Sequence, residues 1–190
     1  MLNKKYFQQV RQDLISYAEK RREVIKAAGD AQHHAKRAIF ALQRGNKTEA
    51  ADSFSAAEAA LLQLRKKFAK EEDLFDEGSY RAALEEYTEA ALFKQFLEGK
   101  ELDKIKTLPV DSDIFIGGLA DVPGEMVRYA LKAATERQFD EVKRCYVAAE
   151  QIIAEMISMD LTGYNRQKFD QAKQALQKLE QIVYELSLKK

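Results

Sequence analysis

The sequence is poor in the residues that break helices and in those that carry covalent or redox chemistry. Of its 190 residues one is cysteine, two are proline, eight are glycine and none is tryptophan. The lone Cys145 excludes an intrachain disulfide framework and fits a reducing compartment, with an inert, half-buried thiol as the expected state. The only histidines, His33 and His34, are adjacent. Neighbours on a helix diverge by about 100°, so this pair cannot chelate one metal ion. No Glu-x-x-His occurs, which argues against a ferritin-like di-iron bundle. A P-loop, a G-x-G-x-x-G turn and any Cys–His or Ser–His arrangement are also absent, leaving nucleotide-binding and nucleophilic-hydrolase readings without support.

Net charge is missing as well: Lys plus Arg total 31 and Asp plus Glu total 31. Such a chain is no polycation that coats any nucleic acid. To bind RNA it must gather its basic residues on one surface and its acidic ones elsewhere. No apolar run approaches the roughly 20 residues of a membrane span, and Met1–Phe7 lacks the apolar core of a signal peptide. The expectation is a soluble, cytoplasmic protein with no membrane partner.

Helix formers fill the space these absences leave. Helical periodicity predicts a first helix from about Asn3 to Ala28, ending near Gly29, and a second capped by Asp30 and ending at the Gly45-Asn46 turn. A third covers about Lys47 to Phe75, and a fourth runs from Gly78-Ser79 to near Gly99. An irregular stretch from about Leu102 to Gly118 holds Pro109 and the run Ile114-Phe115-Ile116. Three further helices follow: Pro123 to Thr135, Phe139 to Met159, and Asn165 to Leu188. With no alternating strand pattern and no internal repeat, the expectation is one all-α domain over residues 1–190, a bundle of about seven helices. The fourth helix is apolar on two sides, Tyr80, Leu84, Tyr87 and Ala91 on one and Phe93 and Phe96 on the other. That pattern, with the broad band Leu176, Leu179, Ile182, Val183 and Leu186, points to burial against another subunit and hence to a homo-oligomer.

Two acidic pairs stand out. Glu86 and Glu89 are three residues apart on the fourth helix, and Asp121 and Glu125 are four apart around Pro123 and Gly124. Either spacing puts both carboxylates of a pair on one helical patch. Four carboxylates brought together repel one another unless protonated or neutralised, and an oxygen-only set suits Mg²⁺ or Mn²⁺ and metal-assisted phosphodiester chemistry. A blander reading stands beside this one. Glu86 and Glu89 then form a solvated face, Asp121 caps the helix that Pro123 starts, and Glu125 is a first-turn charge. Basic residues gather at Lys36, Arg37 and Arg44 and at Arg65, Lys66 and Lys67, where solvation competes with RNA contact as the explanation.

Four blocks of the chain resemble the translin family, and within it the branch of translin-associated factor X. Glu85-Glu86-Tyr87-Thr88-Glu89-Ala90, with Phe93 and Phe96 downstream, is similar to that branch's Q-E-Y-V-E-A block. Gly118-Leu119-Ala120-Asp121-Val122-Pro123-Gly124-Glu125-Met126-Val127-Arg128 is similar to the family's G-V-A-D-L-T-G-E-L-x-R. Lys36 to Arg44 resembles S-K-R-x-I-F-x-L-H-R, and Lys178 to Tyr184 resembles K-x-E-x-x-x-Y. The resemblance implies an all-α protomer in a hollow, usually eight-subunit shell that binds RNA on its inner surface. In the catalytic branch four acidic residues bind Mg²⁺ and cut RNA; by position these fall on Glu86, Glu89, Asp121 and Glu125. The expectation is therefore a Mg²⁺- or Mn²⁺-dependent ribonuclease acting on RNA, single strands preferentially, as a homo-octamer. Lys36, Arg37, Arg44 and Arg128 are the candidate phosphate contacts, and Arg128 has an ion pair with Glu125 as its alternative. A non-catalytic translin-type protein binding RNA or single-stranded DNA is the competing reading. Gln43 stands where the family has His, and Pro123 where it has Thr, so both positions bear on how an inherited site would work here.

Overall fold

A computed structural model describes residues 1–188, so the last two residues of the expected 1–190 domain lie outside the described part. Six α-helices follow in order: α1 (Lys4–Gln43), α2 (Lys47–Lys67), α3 (Gly78–Leu97), α4 (Ser112–Thr135), α5 (Phe139–Ile157) and α6 (Gly163–Ser187), with one 3-10 turn, Glu72–Asp76, between α2 and α3. No strand occurs among the described residues. The all-α expectation holds. The helix count differs because the first two expected helices are one.

Gly29 and Asp30 do not interrupt α1, which runs unbroken for 40 residues. One glycine inside a helix costs about 1 kcal/mol, too little to end a helix whose neighbouring turns are packed. Val24, Ala28, Ala31, Ala35 and Ala38 form its buried seam. The helix stops where expected: Gly45 takes a positive φ of 74°, and the Asn46 amide bonds the Ala41 carbonyl at 2.9 Å. Asn46 then caps α2, its side chain accepting from the Glu49 amide at 3.1 Å.

The expected loop before Gly118 is also shorter than the prolines suggest. Asp111, not Asp121, is the cap of α4, its side chain accepting from the Ile114 amide at 2.8 Å. Ile114, Phe115 and Ile116 are therefore helical, and Pro123 sits inside α4 rather than at its start. Proline there removes one helical N–H, and burial of Pro123 with its neighbours Val122 and Met126 holds the helix together across the gap.

α3 lies between α1 and α4; α5 and α6 pack on α4 and on each other, and α2 packs on α1. This placement corrects the subunit argument drawn from α3. Tyr80, Leu84 and Tyr87 are buried on one side, where the Tyr87 ring meets Phe54 of α2 edge-on at 5.9 Å. On the other, Phe93 and Phe96 both meet Tyr129 of α4. The protomer covers both faces itself. Apolar exposure falls elsewhere: no residue before Val24 is buried, and Tyr6, Phe7, Leu14, Ile15 and Tyr17 stand open on the projecting part of α1.

Candidate metal and nucleic-acid site

The α3–α4 seam carries the acidic residues. Gly117 and Gly118 set how near the two helices come. A methyl group on Gly118 would stand 2.8 Å from the Glu85 carbonyl oxygen and 2.9 Å from the Thr88 Cβ, so only glycine fits. One turn further along α4 the same approach brings Asp121 and then Glu125 against Glu86 and Glu89.

Glu89 and Glu125 are only 7% and 8% exposed, a degree of burial that rules out a solvated face for either. Burial pushes the Glu89 carboxyl up to about 9, helped by the negative charges of Asp121, Glu86 and Glu125. Burial likewise raises Glu86, against the pull of Lys36, and raises Asp121, against that of Lys168. Three of the four carboxylates, Glu86, Asp121 and Glu125, have distinct partners. Glu86 accepts from Gln32 at 3.4 Å and faces the Lys36 ammonium at 3.6 Å. Glu125 accepts from the Gln43 amide at 3.0 Å and pairs with Arg128 at 3.2 Å. Gln43 also donates to the Glu125 backbone carbonyl at 2.9 Å, tying the end of α1 to α4.

The structure thus brings all four acidic candidates to one seam, with Lys36 and Arg128 at its edge. Arg128 takes the ion-pair alternative. Arg37 and Arg44 go elsewhere, to Glu49 at 3.6 and 3.1 Å on the α1–α2 corner. Of three further participants, Gln32 and Lys168 carried no signal as site residues, and Gln43 only that it stands where the resembled family has His. Gln32 and Gln43 are α1 amides. Lys168, on α6, places its ammonium 2.5 Å from Asp121 and 2.7 Å from Glu85. Spacing along the chain cannot reveal a partner 47 residues away.

Among the described residues no three Asp, Glu, His or Cys side chains are drawn together at the spacing of a formed metal centre. The donor chemistry still fits a hard divalent cation. The set is all oxygen, two of its members are buried, and burial beside three other carboxylates raises the Glu89 carboxyl, a cost that a cation would relieve.

Solved structures with this fold span almost the whole chain. The crystal structure of AfC3PO superposes with a TM-score of 0.87 at 23% identity, covering 97% of this chain and 98% of that one. That of apo-NeC3PO gives 0.85 at 17%, covering 97% of each. The AfC3PO–duplex RNA complex gives 0.83 at 22%, covering 97% and 98%. No curated protein matches the chain by sequence. At these identities the likeness establishes fold alone. The sequence model of the Translin family matches residues 19–190, from the covered part of α1 onward, and the chain belongs to that family.

Proposed function

We propose that the chain is a divalent-metal-dependent endoribonuclease of the catalytic, factor-X-like type. The observation that carries this reading is the convergence of four carboxylates from α3 and α4 in one seam, with Glu89 buried among the three others and its acidity suppressed by that burial and by their charge. Glu86, Glu89, Asp121 and Glu125 would hold Mg²⁺ or Mn²⁺. Such an ion lowers the pKa of a water and stabilises charge on a phosphate. The chain's own residues do the rest. Gln32 and Gln43 orient Glu86 and Glu125 by hydrogen bonds. Lys36, largely exposed, offers charge to the phosphates that flank the cut, and Arg128 would do so only on leaving its Glu125 pair. Arg37 and Arg44, paired with Glu49 on the α1–α2 corner, would meet only RNA that runs beyond the seam. RNA is also the ligand named in one structure of this fold, the duplex complex of AfC3PO. A single strand bends a phosphate into a half-buried seam more readily than a duplex, which favours single-stranded substrate. The active form is a homo-oligomeric shell, an octamer, supported by the open apolar residues of α1.

One observation favours the second reading, a non-catalytic RNA or single-stranded DNA binder. Glu86, Asp121 and Glu125 already have amide or cationic partners within the chain, and among the described residues no three acidic side chains are gathered at ligand spacing. Labelled single-stranded RNA incubated with Mg²⁺ separates the two. Cleavage is expected, lost in EDTA and reduced about 100-fold or more in Glu89→Gln and Glu125→Gln, the scale on which one transition-state-stabilising group is felt. Tight binding with no product, alike in Mg²⁺ and EDTA, would establish the binder.

A further inference from the structure

Asp121 has a resident cation. Lys168 comes from the second turn of α6, and its side chain is 15% exposed, between Glu85 at 13% and Asp121 at 28%. Lys36 and Arg128 are 56% and 63% exposed, so water screens their pull. Lys168 is screened far less. Its surroundings hold it in place: the Tyr164 ring lies 5.3 Å from the ammonium, and the Tyr164 hydroxyl donates to Glu85 at 2.7 Å. Glu85, beside but outside the four-carboxylate set, completes a Lys168–Glu85–Tyr164 clamp that fixes the ammonium against Asp121.

A divalent ion held by Oδ2 of half-buried Asp121, or by both its oxygens, needs the place that the Lys168 ammonium occupies, and one on Oδ1 repels that ammonium across the carboxylate. Asp121 spends Oδ2 on Lys168, and an ion drawing Asp121 into its coordination sphere must break or weaken that pair. Resting on the proposed metal site, we infer that Lys168 is a built-in competitor of the divalent ion: it holds Asp121 in the metal-free protein and is displaced from it when the ion binds. The clamp supplies the return path, since a displaced ammonium keeps Glu85. Lys168 thereby sets how much divalent ion is needed to load the site, and it holds the seam together until loading.

Mn²⁺ binding to the metal-free protein, followed by calorimetry and by the electron paramagnetic resonance of free Mn²⁺, tests this without reference to cleavage. Lys168→Met, which keeps the stem and removes the charge, should bind Mn²⁺ at least tenfold more tightly than the parent chain and melt at lower temperature in EDTA. Lys168→Arg should stay near the parent. A second measurement needs no variant. Reductive methylation mapped by mass spectrometry should modify Lys168 more slowly than Lys36 in EDTA and several-fold faster at saturating Mg²⁺. Mn²⁺ binding by the parent chain with equal or weaker binding by folded Lys168→Met overturns the competition and leaves the metal site standing. So does a Lys168 methylation rate unchanged by saturating Mg²⁺. No Mn²⁺ binding by either protein overturns both proposals together.

Discussion

Burial, with three neighbouring carboxylates added to it, pushes the Glu89 carboxyl up to about 9. The sign of the consequence follows from linkage. The folded carboxyl is raised to about 9 from its ordinary value of 4.5, so between those limits the folded state binds more protons. Stability from this group is complete below about 4.5 and is lost as pH rises toward 9. In EDTA the melting temperature should fall steadily from pH 5 to pH 9, and Glu89→Gln should flatten that fall. Added Mg²⁺ should flatten it too, the ion taking the place of the proton. A melting temperature rising with pH would mean that Glu89 is ionised in the fold. Cys145 gives a simpler residue-scale test. It is fully buried, not half-buried, and burial pushes its thiol up to about 12. Alkylating reagents should leave it untouched in the native protein and label it only on unfolding.

Within the helices, three glycines of like composition should respond in opposite directions. Gly29 and Gly124 have open space where a methyl would go. Alanine at either should stabilise the chain by about 0.5–1 kcal/mol through the lost backbone freedom of the unfolded state. Gly118 has the α3 backbone in the way. Alanine there should cost about 1–3 kcal/mol by forcing α3 and α4 apart, and with them the carboxylates. Urea denaturation of the three variants reads all of this directly. The same positions explain what was legible in the sequence. Helical periodicity found every α-helix, because alanine and leucine spacing is local, but it carried the third to Phe75, where α2 ends at Lys67 and a separate 3-10 turn covers Glu72–Asp76. It misjudged the borders at Gly29 and Pro123, because whether a poor helix former ends a helix depends on packing from elsewhere. The acidic pairs were legible for a like reason, since three- and four-residue spacing puts each pair on one face. That the two faces meet is a property of α3 lying beside α4. Lys168 was invisible for the same cause, as its only link to Asp121 runs through the packing of α6 on α4.

At the scale of the molecule, the projecting part of α1 is the feature the protomer does not account for. The buried seam of Val24, Ala28, Ala31, Ala35 and Ala38 continues in register toward the N-terminus as Phe7, Val10, Leu14 and Tyr17, with no partner in the protomer. A chain starting at residue 18 should keep the melting temperature of the parent protomer, since nothing it loses is buried. It should also sediment as a smaller species, if those side chains join copies of the chain as the homo-oligomeric reading requires. An undiminished sedimentation coefficient per protomer would place the subunit contacts elsewhere. Bundle and seam together span α1 to α6, and no helix is long and apolar enough to cross a membrane among the described residues.

The unbroken run of α1 through Gly29 has a mechanical side. A helix of 40 residues is a rod of about 60 Å, and this one has no hinge between its free end and the amides of Gln32 and Gln43. Whatever grips the first turns therefore steers the last ones: a tilt imposed at Phe7 arrives at Glu86 and Glu125 as a change of bearing. On the proposed function, the surface that would join copies and the seam that would hold the ion share one shaft.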